Sequence, residues 1–283
     1  MEETGNNILE WIHANYFQLT TAEKKVADFV LAQPQQIQFM SITQLADECG
    51  AAEATISRFC RTLRLKGFNA FKIELARRSV SVPAQTQPSQ DQRTPEGRRA
   101  EVVRLATDAV HQTLELTNHA LVQQAVDLFE AAPHVMCIGS GGSMVMAQEC
   151  AHLFSTVTGK FYAVSDSHSQ MSATATMGCD DVIVLFSYSG ATTNGMEVLR
   201  LAKSRNIRTV LITRFAKSPA AKLADVVLCC GSNEGPFQFG SVPARIAQLV
   251  VLDLVFQEYR SRNQAACEDN IRRIAAALSE KHL

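Results

Sequence analysis

Between residues 134 and 230, apolar runs alternate with stretches of helical spacing. The runs are 135–138, 161–164, 182–186, 209–212 and 226–229, and 182–186 is an unbroken Val-Ile-Val-Leu-Phe. Continuous apolar runs are the mark of strands buried on both faces. The intervening stretches 144–156, 170–177, 196–203 and 219–223 read as helices. Strands alternating with helices predict a parallel sheet with right-handed crossovers, here of five strands. Two helices precede it, 98–116 and 121–131, broken at Asn118, and an amphipathic helix from Ala244 through Phe256 opens a helical end.

The first 78 residues have a different period. Ile8, Leu9, Ile12 and Phe17 begin an apolar helical stripe, and Thr21 is the expected N-cap of a helix that Pro34 stops. Ser41 is the expected N-cap of a helix over 42–49, and Gly50 suits the tight turn after it. A second helix over 54–63 puts Ile56, Phe59 and Leu63 on one face. Helix, short glycine turn, helix is the helix-turn-helix plan. Between the two regions, 79–97 holds Pro83, Pro88 and Pro95 among Gln, Ser and Thr, the composition of a linker. The expected architecture is therefore an all-α helix-turn-helix domain over 1–78, a linker over 79–97, and an α/β domain over 98–283 with a five-stranded parallel sheet flanked by helices.

Charge sharpens the first domain. Residues 54–78 carry seven basic side chains against Glu74, a net +6, whereas residues 1–53 carry two lysines against eight acids, a net −6. A basic second helix beside a neutral whole (net charge −1) fits a phosphate backbone, although a solvated helical face can look the same. Thr55, Ser57, Arg58, Arg61, Lys66 and Lys72 are the candidate DNA contacts. Thr55, Ser57 and Arg58 lie early on the second helix, where base edges are read, Thr55 and Ser57 fit backbone phosphates equally well, and Arg61, Lys66 and Lys72 are better placed for phosphates than for bases.

In the second domain the chemistry gathers at two turns. The strand 182–186 runs into Ser187-Tyr188-Ser189-Gly190-Ala191-Thr192, and the strand 135–138 into Gly139-Ser140-Gly141-Gly142-Ser143. Both turns sit at a strand's carboxyl end, where open α/β sheets hold ligands, and both open a helix whose free N–H groups favour an anion. The bland alternative is a pair of ordinary turns with hydroxyl caps. A dinucleotide fingerprint fails, because residue 144 is Met where that pattern needs Gly or Ala.

The Ser187-x-Ser189-Gly190-x-Thr192 turn resembles the phosphate-binding loop of SIS (sugar isomerase) domains. The Gly139-x-Gly141-x-Ser143 turn resembles the first loop of the same family. Upstream, the segments 41–46, 54–61 and 65–72, with Lys66-Gly67-Phe68, resemble the amino-terminal domain of RpiR-type transcription regulators, which join this head to a SIS domain in this order. Ala51 and Ala52 depart from that family's usual residues and predict a weak cap on the second helix.

The resemblance implies a cytoplasmic regulator of carbohydrate-metabolism genes. It implies operator DNA and a sugar phosphate effector as partners, and self-association as a homodimer or homotetramer through the SIS domain. It implies effector contacts at Ser140, Gly141, Ser143, Ser187, Ser189, Gly190, Thr192 and Glu234. Arg245, in an Arg-Ile-Ala-Gln-Leu stretch shared with RpiR-type proteins, reads either as a ligand contact or as a structural residue.

The alternative function is a phosphosugar isomerase or lyase of the SIS class with a helical appendage. Such chemistry needs a placed acid or base, for which Glu149, His152, His168 and Glu234 are available. No cofactor or metal is expected: the eight cysteines form no C-x-x-C pair and read as buried thiols of a reducing compartment. Neither a basic-apolar leader nor an apolar run of the ~20 residues a membrane span needs is present.

Overall fold

A computed structural model describes residues 8–79, 94–232 and 241–279. The chain divides into two compact units, one holding the described residues up to 103 and the other those from 104 onward. Residues 80–93 of the expected linker, and Glu234, lie outside the described residues.

The first unit is helical. It comprises α1 (Ile8–Asn15), a 3₁₀ turn (Tyr16–Gln18), α2 (Thr21–Ala32), α3 (Pro34–Ile37), α4 (Ile42–Cys49), α5 (Glu53–Thr62) and α6 (Phe68–Ser79). Ile12, Val26, Val30, Ile37, Leu45, Ile56, Phe59 and Phe71 form its core, with Phe59 and Phe71 edge to face at 5.9 Å. The N-cap of α2 is Thr20, not Thr21. A capping box needs a hydroxyl three residues before a carboxylate. Thr20 and Glu23 meet that spacing, and Thr21 and Lys24 do not. Glu23 is only 8% exposed and also accepts a 3.0 Å bond from Thr62 Oγ1, which pins α5 to α2. Ser41 and Gln44 form a second box on α4. Gly50 ends α4 at φ 57°, a left-handed turn that a side chain would strain.

The second unit is a three-layer sandwich. α7 (Pro95–Leu116), which belongs to this unit from residue 104 onward, starts inside the stretch expected to be linker, because Thr94 Oγ1 takes the Gly97 N–H and proline is tolerated in a first helical turn. α8 (His119–Ala131) follows, capped by Asn118. The remaining elements are β1 (Val135–Gly139), α9 (Gly142–Ser155), β2 (Phe161–Ala163), α10 (Ser167–Thr176), β3 (Val182–Phe186), α11 (Thr193–Ser204), β4 (Arg208–Thr213), β5 (Val226–Cys229), α12 (Val242–Arg262) and α13 (Gln264–Ser279). The five strands are parallel, in the order β2-β1-β3-β4-β5.

Alternate residues of each strand face opposite layers. Cys137, Val184, Phe186 and Ile212 pack with α8, α9 and α12, while Ile138, Ile183, Leu185 and Leu211 pack with α10 and α11. Both faces are covered, which is why the runs are continuously apolar. Phe154 of α9 is a hub, stacked on Phe161 at 3.9 Å and edge-on to Phe129, Phe256 and Tyr259. The expected helix at 219–223 is instead a series of turns. The Ala220 N–H is used on Gly190 O at 2.9 Å, which holds this segment against the β3 turn. The cysteines are all free. Burial pushes the thiols of Cys49 and Cys60 up to about 11 and about 12, so they stay protonated and inert. Cys179 is the exposed exception.

Candidate functional site

With strand order 2-1-3-4-5, the chain leaves β1 toward one side of the sheet and β3 toward the other. The crevice between their carboxyl ends is the switch point where such sheets bind ligands. Gly139 and Phe186 are register partners, so the turns starting at Ser140 and Ser187 spring from neighbouring positions. The candidate serines, glycines and threonine of both loops are thus brought to one place.

The two helices that begin there differ from their neighbours. Within the second unit, side chains of Asn118, Asp166 and Ser241 cap α8, α10 and α12. No side chain caps α9, whose N-cap is Gly141, or α11, whose N-cap is Thr192. A cap contributes about 1 kcal/mol, and both helices forgo it. Instead Thr192 Oγ1 lies 3.4 Å from Ser187 Oγ, and Ser189 Oγ accepts from Ala191 N at 3.3 Å. Ser187 is buried; Ser143 and Ser189 are half-buried; Ser140, Gly141 and Thr192 are exposed. Gly190 is buried at φ 58°, and a side-chain carbon there would collide with Ser218 Oγ.

Residues that sequence reasoning did not single out hold the loops. Gln170 of α10, 1% exposed, donates from Nε2 to Gly139 O (3.1 Å) and Val164 O (2.8 Å). Its Oε1 accepts from Asn194 Nδ2 at 2.6 Å, in the first turn of α11. One carboxamide therefore joins the end of β1 to the start of α11. A glutamine in a polar helix reads as solvent-facing, so the partners of its carboxamide are set by tertiary contact. Tyr188 OH donates to Ser232 O at 2.6 Å, and Arg214 Nε donates to the same oxygen at 2.8 Å, tying the β3 turn to the end of β5.

The acid–base candidates are placed otherwise. Glu149 and His152 lie on α9, the former six residues (roughly 9 Å) along the helix from Ser143. His168 is exposed at the start of α10. Among the described residues no group of His, Cys, Asp and Glu could hold a metal ion, and no helix is long and apolar enough to cross a membrane.

In the first unit α4, the Gly50 turn and α5 form the expected helix pair. Ala52 is the N-cap of α5 and no side chain caps it, as the two alanines predicted. Arg58, Arg61 and Lys66 are exposed and Ser57 is half-buried. Two candidates have other employment. Thr55 is 5% exposed and belongs to the buried side of α5, because it falls four residues before Phe59 on the face that meets the core. Lys72 Nζ donates to Met40 O at 3.1 Å and lies 5.6 Å over the Phe68 ring, so it fastens α6 to the corner before α4.

This geometry has counterparts among known proteins. Residues 6–81 match the helix-turn-helix domain of the rpiR family, and residues 128–257 match the SIS domain. An uncharacterised HTH-type transcriptional regulator of Caldanaerobacter subterraneus is 33% identical over 241 residues, 84% of each chain. The HTH-type transcriptional regulator HexR of Pseudomonas aeruginosa is 30% identical over 273 residues, 96% of this chain and 95% of that one. NanR of Vibrio vulnificus, solved in complex with ManNAc-6P, shares the fold: TM-score 0.87 at 23% identity, covering 98% of this chain and 100% of that one. A helix-turn-helix domain joined to a SIS domain defines a transcriptional regulator. The chain belongs to the rpiR family of these regulators.

Proposed function

We propose that this regulator binds operator DNA through α5 and its flanks and changes that binding when a sugar phosphate occupies the β1–β3 crevice. One observation carries the effector half: two helix starts without capping side chains lie side by side at the switch point, among hydroxyls that can donate to an anion. NanR's solved complex with ManNAc-6P supports a sugar phosphate as the ligand class. The proposed effector contacts are Ser140, Gly141, Ser143, Ser187, Ser189, Gly190 and Thr192, with Glu234 carried over from the family resemblance. The proposed DNA contacts are Ser57, Arg58, Arg61 and Lys66. The domain limits proposed are 1–78 and 98–283, joined by 79–97. Self-association through the second domain is supported by the exposed apolar side chains Val145 and Leu249 on α9 and α12. A DNA-bound regulator would work in the cytoplasm. The names of the relatives favour regulation over isomerase chemistry.

Coupling follows from linkage. A ligand with different affinity for two arrangements of the DNA-binding heads shifts the balance between them. The test is a gel shift with DNA from upstream of the chain's own gene, repeated with a panel of hexose, amino-sugar and pentose phosphates. Arg58→Ala should weaken DNA binding. Ser189→Ala should leave DNA binding without effector unchanged and weaken the effector's influence about tenfold, the effect of losing one ~1.4 kcal/mol interaction. Turnover of a sugar phosphate with no DNA binding would refute this reading in favour of the enzyme.

A further inference from the structure

We infer that Arg245 and Gln248 form the α12 wall of this crevice and hold the effector's anionic oxygens from that side, an inference that rests on the loop site proposed above. Among the described residues, Arg245 Nε and Gln248 Nε2 are the buried side-chain nitrogens without a hydrogen-bond partner. Gln248 is only 2% exposed. A buried donor left unpaired is destabilising, so two of them one turn apart on a helix need an account.

Their position supplies it. α9 follows β1 and an α12 start follows β5, and both strands are parallel members of one sheet, so both helices begin at the carboxyl edge and run the same way. They pack together lower down, where Phe154 of α9 meets Phe256 at 5.3 Å and Tyr259 at 5.4 Å. Eleven residues make close to three helical turns, about 16 Å, and return to the same face. Eleven residues before Phe154 is Ser143. Eleven residues before Phe256 and Tyr259 are Arg245 and Gln248. Between these levels, Met144 and Ala147 of α9 share a core with Ala247 and Val251 of α12. The unpaired nitrogens therefore stand level with Ser143, at the edge where the two loops open.

Chemistry completes the case. The loops 139–143 and 187–192 offer hydroxyls and N–H groups but contain no lysine or arginine. A guanidinium donates only, and so does a carboxamide nitrogen. Both require an acceptor, and a phosphate monoester offers three oxygens whose charge the arginine would offset.

The experiment is calorimetry and thermal melting of the full-length chain with ManNAc-6P, glucose 6-phosphate, fructose 6-phosphate, ribose 5-phosphate and inorganic phosphate. The variants are Gln248→Met, Arg245→Met, Arg245→Lys and Ser189→Ala. Without ligand, Gln248→Met should melt at or above the wild-type temperature, because it removes an unpaired buried nitrogen. Its affinity for the sugar phosphate that binds the wild type most tightly should nonetheless fall at least tenfold. Arg245→Met should lose as much, and Arg245→Lys, which keeps the charge and disturbs the fold least, several-fold. If the variants at 245 and 248 bind within twofold of wild type while Ser189→Ala loses binding, the α12 wall is overturned and the loop site stands. If Ser189→Ala also binds normally, or no sugar phosphate binds the wild type, both readings are overturned.

Discussion

Replacing Gln170 by leucine tests whether the crevice is held open from beneath. The glutamine is 1% exposed and makes three bonds, to Gly139 O, Val164 O and Asn194 Nδ2, at 3.1, 2.8 and 2.6 Å. Leucine fills nearly the same volume but bonds to none of them. A buried polar group left without its partner costs about 1–3 kcal/mol. Two carbonyls lose this donor, and the half-buried Asn194 amide can recover water, so the net loss should be about 2–4 kcal/mol. The assay is urea unfolding followed in two channels. The chain's only tryptophan, Trp11, lies in the first unit, so its fluorescence reports the DNA-binding head, whereas far-UV circular dichroism reports the whole chain. The dichroism midpoint should fall and the Trp11 midpoint should not. Effector affinity should fall roughly tenfold, because the β1 end and the start of α11 lose their shared anchor. A loss below about 1 kcal/mol together with wild-type effector affinity would refute the reasoning.

Two further predictions follow from geometry. Gly190→Ala should destabilise the second unit by about 2–5 kcal/mol, combining a left-handed backbone penalty with overpacking against buried Ser218; adding Ser218→Gly should restore part of the loss in the same melt. In the head, burial alone would raise the Glu23 pKa, but the hydroxyl and backbone of Thr20 and the hydroxyl of Thr62 outweigh it and lower the pKa below the usual 4.5. A carboxylate with a depressed folded pKa contributes stability that is complete above its unfolded value and drains away as pH falls through the folded one. The Trp11 transition of Glu23→Gln should therefore lie below wild type at pH 7, and the two should converge below pH 4.5; a constant gap across that range would disprove the linkage.

The strands were legible because burial on both faces leaves an unbroken apolar signature, and all five were placed within a residue or two. The two loops were legible because glycine and hydroxyl residues at strand ends have a geometric purpose that composition exposes. What escaped was set by tertiary contact. Gln170 looks like any polar residue in a polar helix until its carboxamide is seen spanning two elements. Thr55 and Lys72 carry the residue types of a DNA surface, yet one lies on the buried side of α5 and the other is fastened to Met40 O and Phe68. The stretch 219–223 has helical composition, but the amide of Ala220 is bonded to Gly190 instead. The cap of α2 falls one residue before the expected Thr21 because two threonines adjoin and only Thr20 stands three residues before a glutamate.

The bare starts of α9 and α11 also bear on how solutions of this protein should be prepared. Phosphate and sulfate are themselves tetrahedral oxyanions suited to such amides. If the crevice binds a sugar phosphate as proposed, a titration in phosphate-buffered saline is a displacement measurement, and its apparent affinity should fall as buffer strength rises. Tris, an amine buffer that carries no oxyanion, leaves the amides to the titrant.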